Sequence, residues 1–184
     1  MRRIVFIASL LFCSSIWAQQ VPMYSQYIIH DYLINPAFVG TRDYYDAKMT
    51  NRLQWTGIDE APRTTVLSAQ GPLKNRKMGL GGYFMSDRAG HIKQQGMYFT
   101  YSYIAKLQGV NLSFGLSAGI QSYGVDGTKL NLNETGDQVL SNGLQTTWVP
   151  DGSFGLMFYT DRLNAGVSIN QLYGTKLNFF KAGN

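Results

Sequence analysis

His30 and His91 are the only imidazoles in the chain, and Asp31 follows His30 directly. An imidazole beside a carboxylate serves a serine hydrolase only when a nucleophile stands next to it. Adjacency along the chain does not supply that geometry, so no catalysis is expected. His30 reads instead as a polar contact under the first strand, and His91 as a loop residue. Asp126, Asn131, Asn133, Glu134 and Asp137 form a second group. Oxygen ligands at short spacing could hold calcium, but the EF-hand spacing is absent, and a solvated loop is the simpler account. No metal or cofactor is expected. Gly79-Leu80-Gly81-Gly82 lies in a strand with no helix after it. Close backbone approach or barrel curvature explains it better than a phosphate cradle. Asp46, Lys48 and Arg52 fall on one face of the first strand. Charges inside a barrel must be solvated or paired, so these three would line a water-filled lumen or hold a plug.

The elements that position these residues read as strands. From Val110 to Gln121 the chain alternates without a break, Val, Leu, Phe, Leu, Ala, Ile against Asn, Ser, Gly, Ser, Gly, Gln. A period of two is the mark of a strand with unlike faces. Asp46–Trp55 (with Asn51 the exception), Gly96–Ala105 and Leu163–Asn170 repeat it, and Arg63–Gly71, Met78–Ser86 and Ser153–Thr160 do so more weakly, which gives seven strands. Only 15 % of residues are charged, against 45 % hydrophobic, with 20 glycines and 12 tyrosines. That composition excludes a disordered chain and a coiled coil.

The polar faces decide the class. In a soluble sandwich the solvent side carries Lys, Glu, Arg and Thr. Here it carries Gly, Ser, Asn and Gln, while the apolar side is continuous and aromatic. Tyr44, Tyr45, Trp55, Tyr101, Tyr103, Tyr123, Trp148, Tyr159 and Tyr173 sit near strand ends, as in the aromatic girdles of an outer-membrane barrel. The fold expected is all-β, an antiparallel transmembrane β-barrel. A secreted β-sandwich with an aromatic core is the alternative. The connections point the same way: Thr56–Pro62, Asp87–Gln95 and Gly124–Gly152 read longer than Pro72–Lys77, Leu107–Gln108 and Asp161-Arg162. Long outer loops alternating with short periplasmic turns are a barrel trait, here with the amino terminus in the periplasm.

Residues 1–18 read as a secretory signal: Arg2 and Arg3, an apolar run Ile4–Phe12, and a small residue at Ala18. Cleavage there would remove Cys13, the only cysteine. Residues 19–43 lack clean alternation and are broken by Pro22 and Asn35-Pro36. They are expected to tuck into the periplasmic mouth or lumen as a plug, with a helical turn near Ile28–Leu33. A disordered tail is the alternative, disfavoured by Tyr24, Tyr27, Tyr32 and Phe38. Residues 44–184 would form the barrel wall. Seven strands fall short of the even number, eight or more, that closes a single-chain bacterial barrel, so the chain reads as truncated, with strands beyond Asn184.

Two blocks at the start of this region are distinctive: Ser25-Gln26-Tyr27, and Asn35-Pro36-Ala37-Phe38 with Gly40 after it. Arg52-Leu53-Gln54-Trp55-Thr56-Gly57, Asp87-Arg88-Ala89-Gly90 and Trp148-Val149-Pro150-Asp151 follow. Over essentially all of residues 19–180 the chain resembles the PorP/SprF family, outer-membrane components of the type IX secretion system of the Bacteroidetes. Family members are typically much longer, and this chain departs from them by ending in mid-pattern. The resemblance implies no enzyme and no catalytic residue. It implies a role in export and surface anchoring of large adhesins, including those of gliding motility, that carry a type IX C-terminal sorting domain. The implied partners are outer-membrane lipid, that adhesin and other secretion components. Nucleic acid is not among them. The segment Gly124–Gly152, with Asp126, Asn133, Glu134, Asp137 and Trp148, is the candidate cargo loop on length alone. A porin or transporter for small or hydrophobic solutes is the alternative function, supported by the charged face of the first strand.

Overall fold

The computed structural model describes residues 30–58, 60–126 and 144–173. The alternating segments form β1 (Asp46–Leu53), β2 (Arg63–Pro72), β3 (Met78–Ala89), β4 (Ile92–Leu107), β5 (Val110–Asp126), β6 (Leu144–Tyr159) and β7 (Asn164–Ile169). They pair antiparallel in chain order as one seven-stranded sheet, curled into a half-barrel. Before β1 stand a short helix, α1 (Asp31–Ile34), and a 310 turn, Pro36–Phe38. No helix among the described residues is long and apolar enough to cross a membrane.

The two faces of the sheet are reversed relative to a soluble fold. Phe99 is 70 % exposed, while its neighbour Thr100 is 2 % exposed. On β5, Phe114 and Leu116 are exposed, whereas Ser113 and Ser117 are buried. The same contrast sets Val167 of β7 and Leu67 of β2 against Ser68 and Ser153. Large apolar side chains in the open and hydroxyls inside make sense when hydrocarbon, not water, covers the outer wall. Cross-strand pairing on the inner face then satisfies the hydroxyls, as between Thr100 Oγ1 and Ser117 Oγ at 2.6 Å.

Several boundaries differ from the sequence expectation. Only Gly90 and His91 join β3 to β4, so the expected longer connection Asp87–Gln95 is strand for most of its length. The long-loop parity therefore holds for two of the three connections at that end. β6 begins at Leu144, which places Trp148 in a strand and not in the candidate cargo loop. Pro150 lies within this strand, inside the expected connection Gly124–Gly152. It is accommodated because β7 pairs with β6 only from Phe154 onward, so Pro150 lies opposite β5 alone and its missing N–H disrupts no second ladder. Tyr123 and Tyr159, expected in the girdles, are half-buried on the inner register.

Candidate functional site

The inner wall is lined by small polar residues and glycines, and the segment from His30 to Gly40 lies against it. Asp31 opens α1, its carboxylate accepting from the Tyr32 N–H at 3.0 Å. Asn35 ends the helix. It precedes a proline and adopts an extended backbone, φ −135° and ψ 110°. Its side-chain oxygen then caps the 310 turn, accepting from the Ala37 N–H at 2.9 Å. Pro36 stands where a missing N–H costs nothing.

Side chains of the wall reach the backbone of this segment. Ser113 donates to the Ala37 carbonyl at 2.7 Å, and Ser102 to that of Val39 at 2.5 Å. Ser168 and Asn170 both donate to the Ile34 carbonyl, at 2.8 and 3.1 Å. In the other direction, the Asn35 amide donates to the carbonyls of Leu156 at 3.1 Å and Val167 at 3.4 Å. The Tyr32 hydroxyl donates to the Gly82 carbonyl at 2.8 Å. The carbonyls of Ala37 and Val39, which are buried and outside the strands, are thereby satisfied. Glycines make the approach possible. A Cβ on Gly115 would land on the backbone of Pro36 and Ala37, and one on Gly155 would strike the Asn35 carboxamide. A Cβ on Gly79 would lie 2.6 Å from Gly40 Cα. Val39 and Ala37 are fully buried.

His30 bridges the first two strands. Its Nε2 lies 2.8 Å from Thr50 Oγ1, and its Nδ1 2.9 Å from Ser68 Oγ. Burial, followed by the nearby Lys48 ammonium, holds the imidazole below its ordinary pKa, against the opposing pull of Asp31 and Asp46. Burial pushes the Tyr32 phenol up to about 12. A charge cluster ties the segment to β1. Arg42 reaches Asp31 at 2.6 Å and Asp46 at 3.2 Å, and Lys48 reaches Asp46 at 2.6 Å. Two cations and two carboxylates balance on a half-buried surface.

A line of tyrosines continues from this segment along the wall. Tyr32 meets Tyr83 edge-on at 5.9 Å, and Tyr83 stacks on Tyr98 at 4.7 Å. The Tyr98 hydroxyl donates to Asp151 Oδ2 at 2.8 Å.

The candidate residues from sequence separate cleanly by place. Asn35, Pro36 and Ala37 are buried at the contact, Gly40 is buried beside Gly79, and Phe38 is half-buried. Asp46, Lys48 and Arg52 lie together on the inner face of β1, but Arg52 joins no ion pair among the described residues. Trp55 is apart from them, 70 % exposed in the β1–β2 loop with φ 53°. Asp126 ends β5, and Trp148 is exposed in β6. Ser25, Gln26, Tyr27, Asn133, Glu134 and Asp137 lie outside the described residues. His30, Tyr32, Arg42, Ser102, Ser113, Gly115 and Gly155 were not singled out as site residues, although the Ser and Gly of the polar faces were the available signal. Gly115-Leu116-Ser117-Ala118-Gly119 spells a nucleophile elbow, but it runs straight through β5, and Ser117 is occupied by Thr100. No group of residues among those described could hold a metal ion.

No curated protein and no solved structure matches the chain. A family model described as type IX secretion system membrane protein PorP/SprF matches residues 16–183. With a barrel-type wall whose apolar side is turned outward, the chain belongs to the PorP/SprF family of type IX secretion system membrane proteins.

Proposed function

We propose that this chain is a non-enzymatic outer-membrane component of type IX secretion that supports export and surface anchoring of a large adhesin with a C-terminal sorting domain. In this account residues 30–42 are a resident plug and the strands are the lipid-facing wall. The observation that carries it is the seated segment: the wall spends its inner hydroxyls and glycines on its own chain. A solute channel needs that surface open to water, so the same observation weighs against a porin. Family membership supports the secretion role. The arrangement offers positioned hydrogen bonds and shape, which suits a scaffold.

The test uses the complete locus with an affinity tag. Outer membranes are solubilised in mild detergent, and the proteins recovered with the tag are identified. Recovery of a large repeat-rich surface protein with a C-terminal sorting domain is expected, together with loss of its surface display in a deletion strain. Recovery of the barrel alone, with normal display in that strain, contradicts the proposal.

A further inference from the structure

On the outward face of β2, β3 and β4 the side chains change character in rows. Leu67 pairs with Phe84, and Phe84 with Met97, all three exposed. Two residues further toward the β1–β2 loop, Thr65 pairs with Ser86 and Ser86 with Gln95. The Gln95 amide donates to Ser86 Oγ at 3.3 Å. Two residues further again, Arg63 stands opposite Arg88, and Arg88 opposite Lys93, and all three are exposed. Each step is roughly 7 Å along the strand. The outer wall thus passes from apolar to neutral polar to cationic within two steps.

Like charges placed directly opposite one another destabilise a sheet. Here three cations are aligned across three strands, and no ion pair among the described residues includes any of them. Of the described carboxylates nearby, Asp87 accepts from Thr64 Oγ1 at 2.5 Å, and Glu60 lies 3.5 Å from His91 Nδ1. Among the described residues the row lacks an ion-pair partner, and a counter-charge from outside the chain would relieve its repulsion. We propose that Arg63, Arg88 and Lys93 hold the phosphates of a membrane glycolipid of the lipid A type, its acyl chains lying along the apolar row beneath.

This site rests on the reading of the outward face as the membrane-facing wall. Position selects the ligand. The cations cap the apolar row on the same strands and the same face, where a phosphate-bearing lipid sets its negative charge above the hydrocarbon. Two guanidiniums suit phosphate because each can donate two parallel hydrogen bonds. A soluble acidic protein would have no use for the exposed Leu67, Phe84 and Met97 below.

The full chain in detergent micelles is titrated with bisphosphorylated lipid A. The triple variant Arg63→Gln, Arg88→Gln, Lys93→Gln is expected to bind at least about tenfold more weakly, since charge-assisted contacts to phosphate are lost. Lys74→Gln with Lys77→Gln, at the opposite end of the wall, should leave binding unchanged. Dephosphorylated lipid A should bind the parent chain as weakly as lipid A binds the triple variant, a comparison that needs no variant to fold. Equal binding by parent and triple variant overturns the site. So does equal binding of dephosphorylated lipid A, or displacement of lipid A by millimolar inorganic phosphate, which would mark a free-anion site. Vesicle flotation separates the two levels of failure. A chain that floats but ignores the phosphates ends only the lipid site, whereas a chain that stays in the aqueous fraction without detergent ends the wall reading beneath it.

Discussion

The side chain of Asn35 occupies the volume in which Gly155 would carry a Cβ. Its carboxamide carbon would lie 3.0 Å from that atom and its oxygen closer still, while its amide donates to Leu156, the next residue along β6. The fit therefore has two halves. A glycine vacates the space, and the main chain beside it offers the acceptor. Neither half is visible in the sequence of β6 alone.

Filling that space tests the fit. Gly155→Ala should cost about 1–3 kcal/mol, because the added methyl forces Asn35 or the strand to shift. The thermal midpoint in detergent should fall, and trypsin should gain access to Arg42, the basic residue that ties the segment to Asp31 and Asp46. A variant with unchanged midpoint and unchanged cleavage would mean that the segment is not held there.

Removing the other half should act similarly. Asn35→Ala loses the cap on Ala37 and leaves two strand carbonyls without their donor, worth about 1–3 kcal/mol. Asn35→Asp keeps the cap but turns a carboxylate toward those carbonyls. It should destabilise more at neutral pH than in acid, where the protonated group can donate. Midpoints at two pH values separate the variants.

The pH response of the seated segment follows from His30. Its folded pKa lies below the ordinary 6.5 because it is buried, with Lys48 adding to the effect and Asp31 and Asp46 opposing it. Well above pH 6.5 the imidazole is neutral in both states and contributes no slope. As the pH falls below that value the unfolded chain takes a proton that the folded chain refuses, so stability declines until the folded pKa is passed. Midpoints across this range should fall for the parent chain, and His30→Gln should flatten the decline. An equal decline in both would place the titrating group elsewhere.

Asp46 is shared by Arg42 and Lys48, at 3.2 and 2.6 Å. The cations are a quarter to a third exposed, so solvent screens part of the interaction. Asp46→Asn should cost about 1 kcal/mol. Pairing it with Lys48→Met should recover part of the loss, which a double-mutant cycle on midpoints would show.

The strand pattern was legible because it depends on alternation within one segment. Val110–Gln121 needed no partner to be read, and the Ser and Gly faces of β4 and β5 indicated a wall with its apolar side outward. The contacts of the seated segment were less legible because they join distant parts of the chain: Asn35 to Val167, Ser113 to Ala37, Ser102 to Val39. A serine facing inward spells the same whether it meets water, another serine or a carbonyl. His30 was readable as a polar contact under the first strand, but not its second partner, Ser68 on β2. The start of β6 was not legible: the expected connection Gly124–Gly152 ends in strand from Leu144, where β5 holds Pro150 in a ladder opposite Ile120.

The roles of wall and plug depend most on which face of the sheet meets lipid. Single cysteines placed in turn at Met97, Phe99 and Tyr101, and at Tyr98, Thr100 and Ser102, can carry a small fluorophore in vesicles containing brominated lipid. Strong quenching at Met97, Phe99 and Tyr101, with little at the other three, is the predicted result. Strong quenching at Tyr98, Thr100 and Ser102 instead, or no alternation along β4, would contradict it.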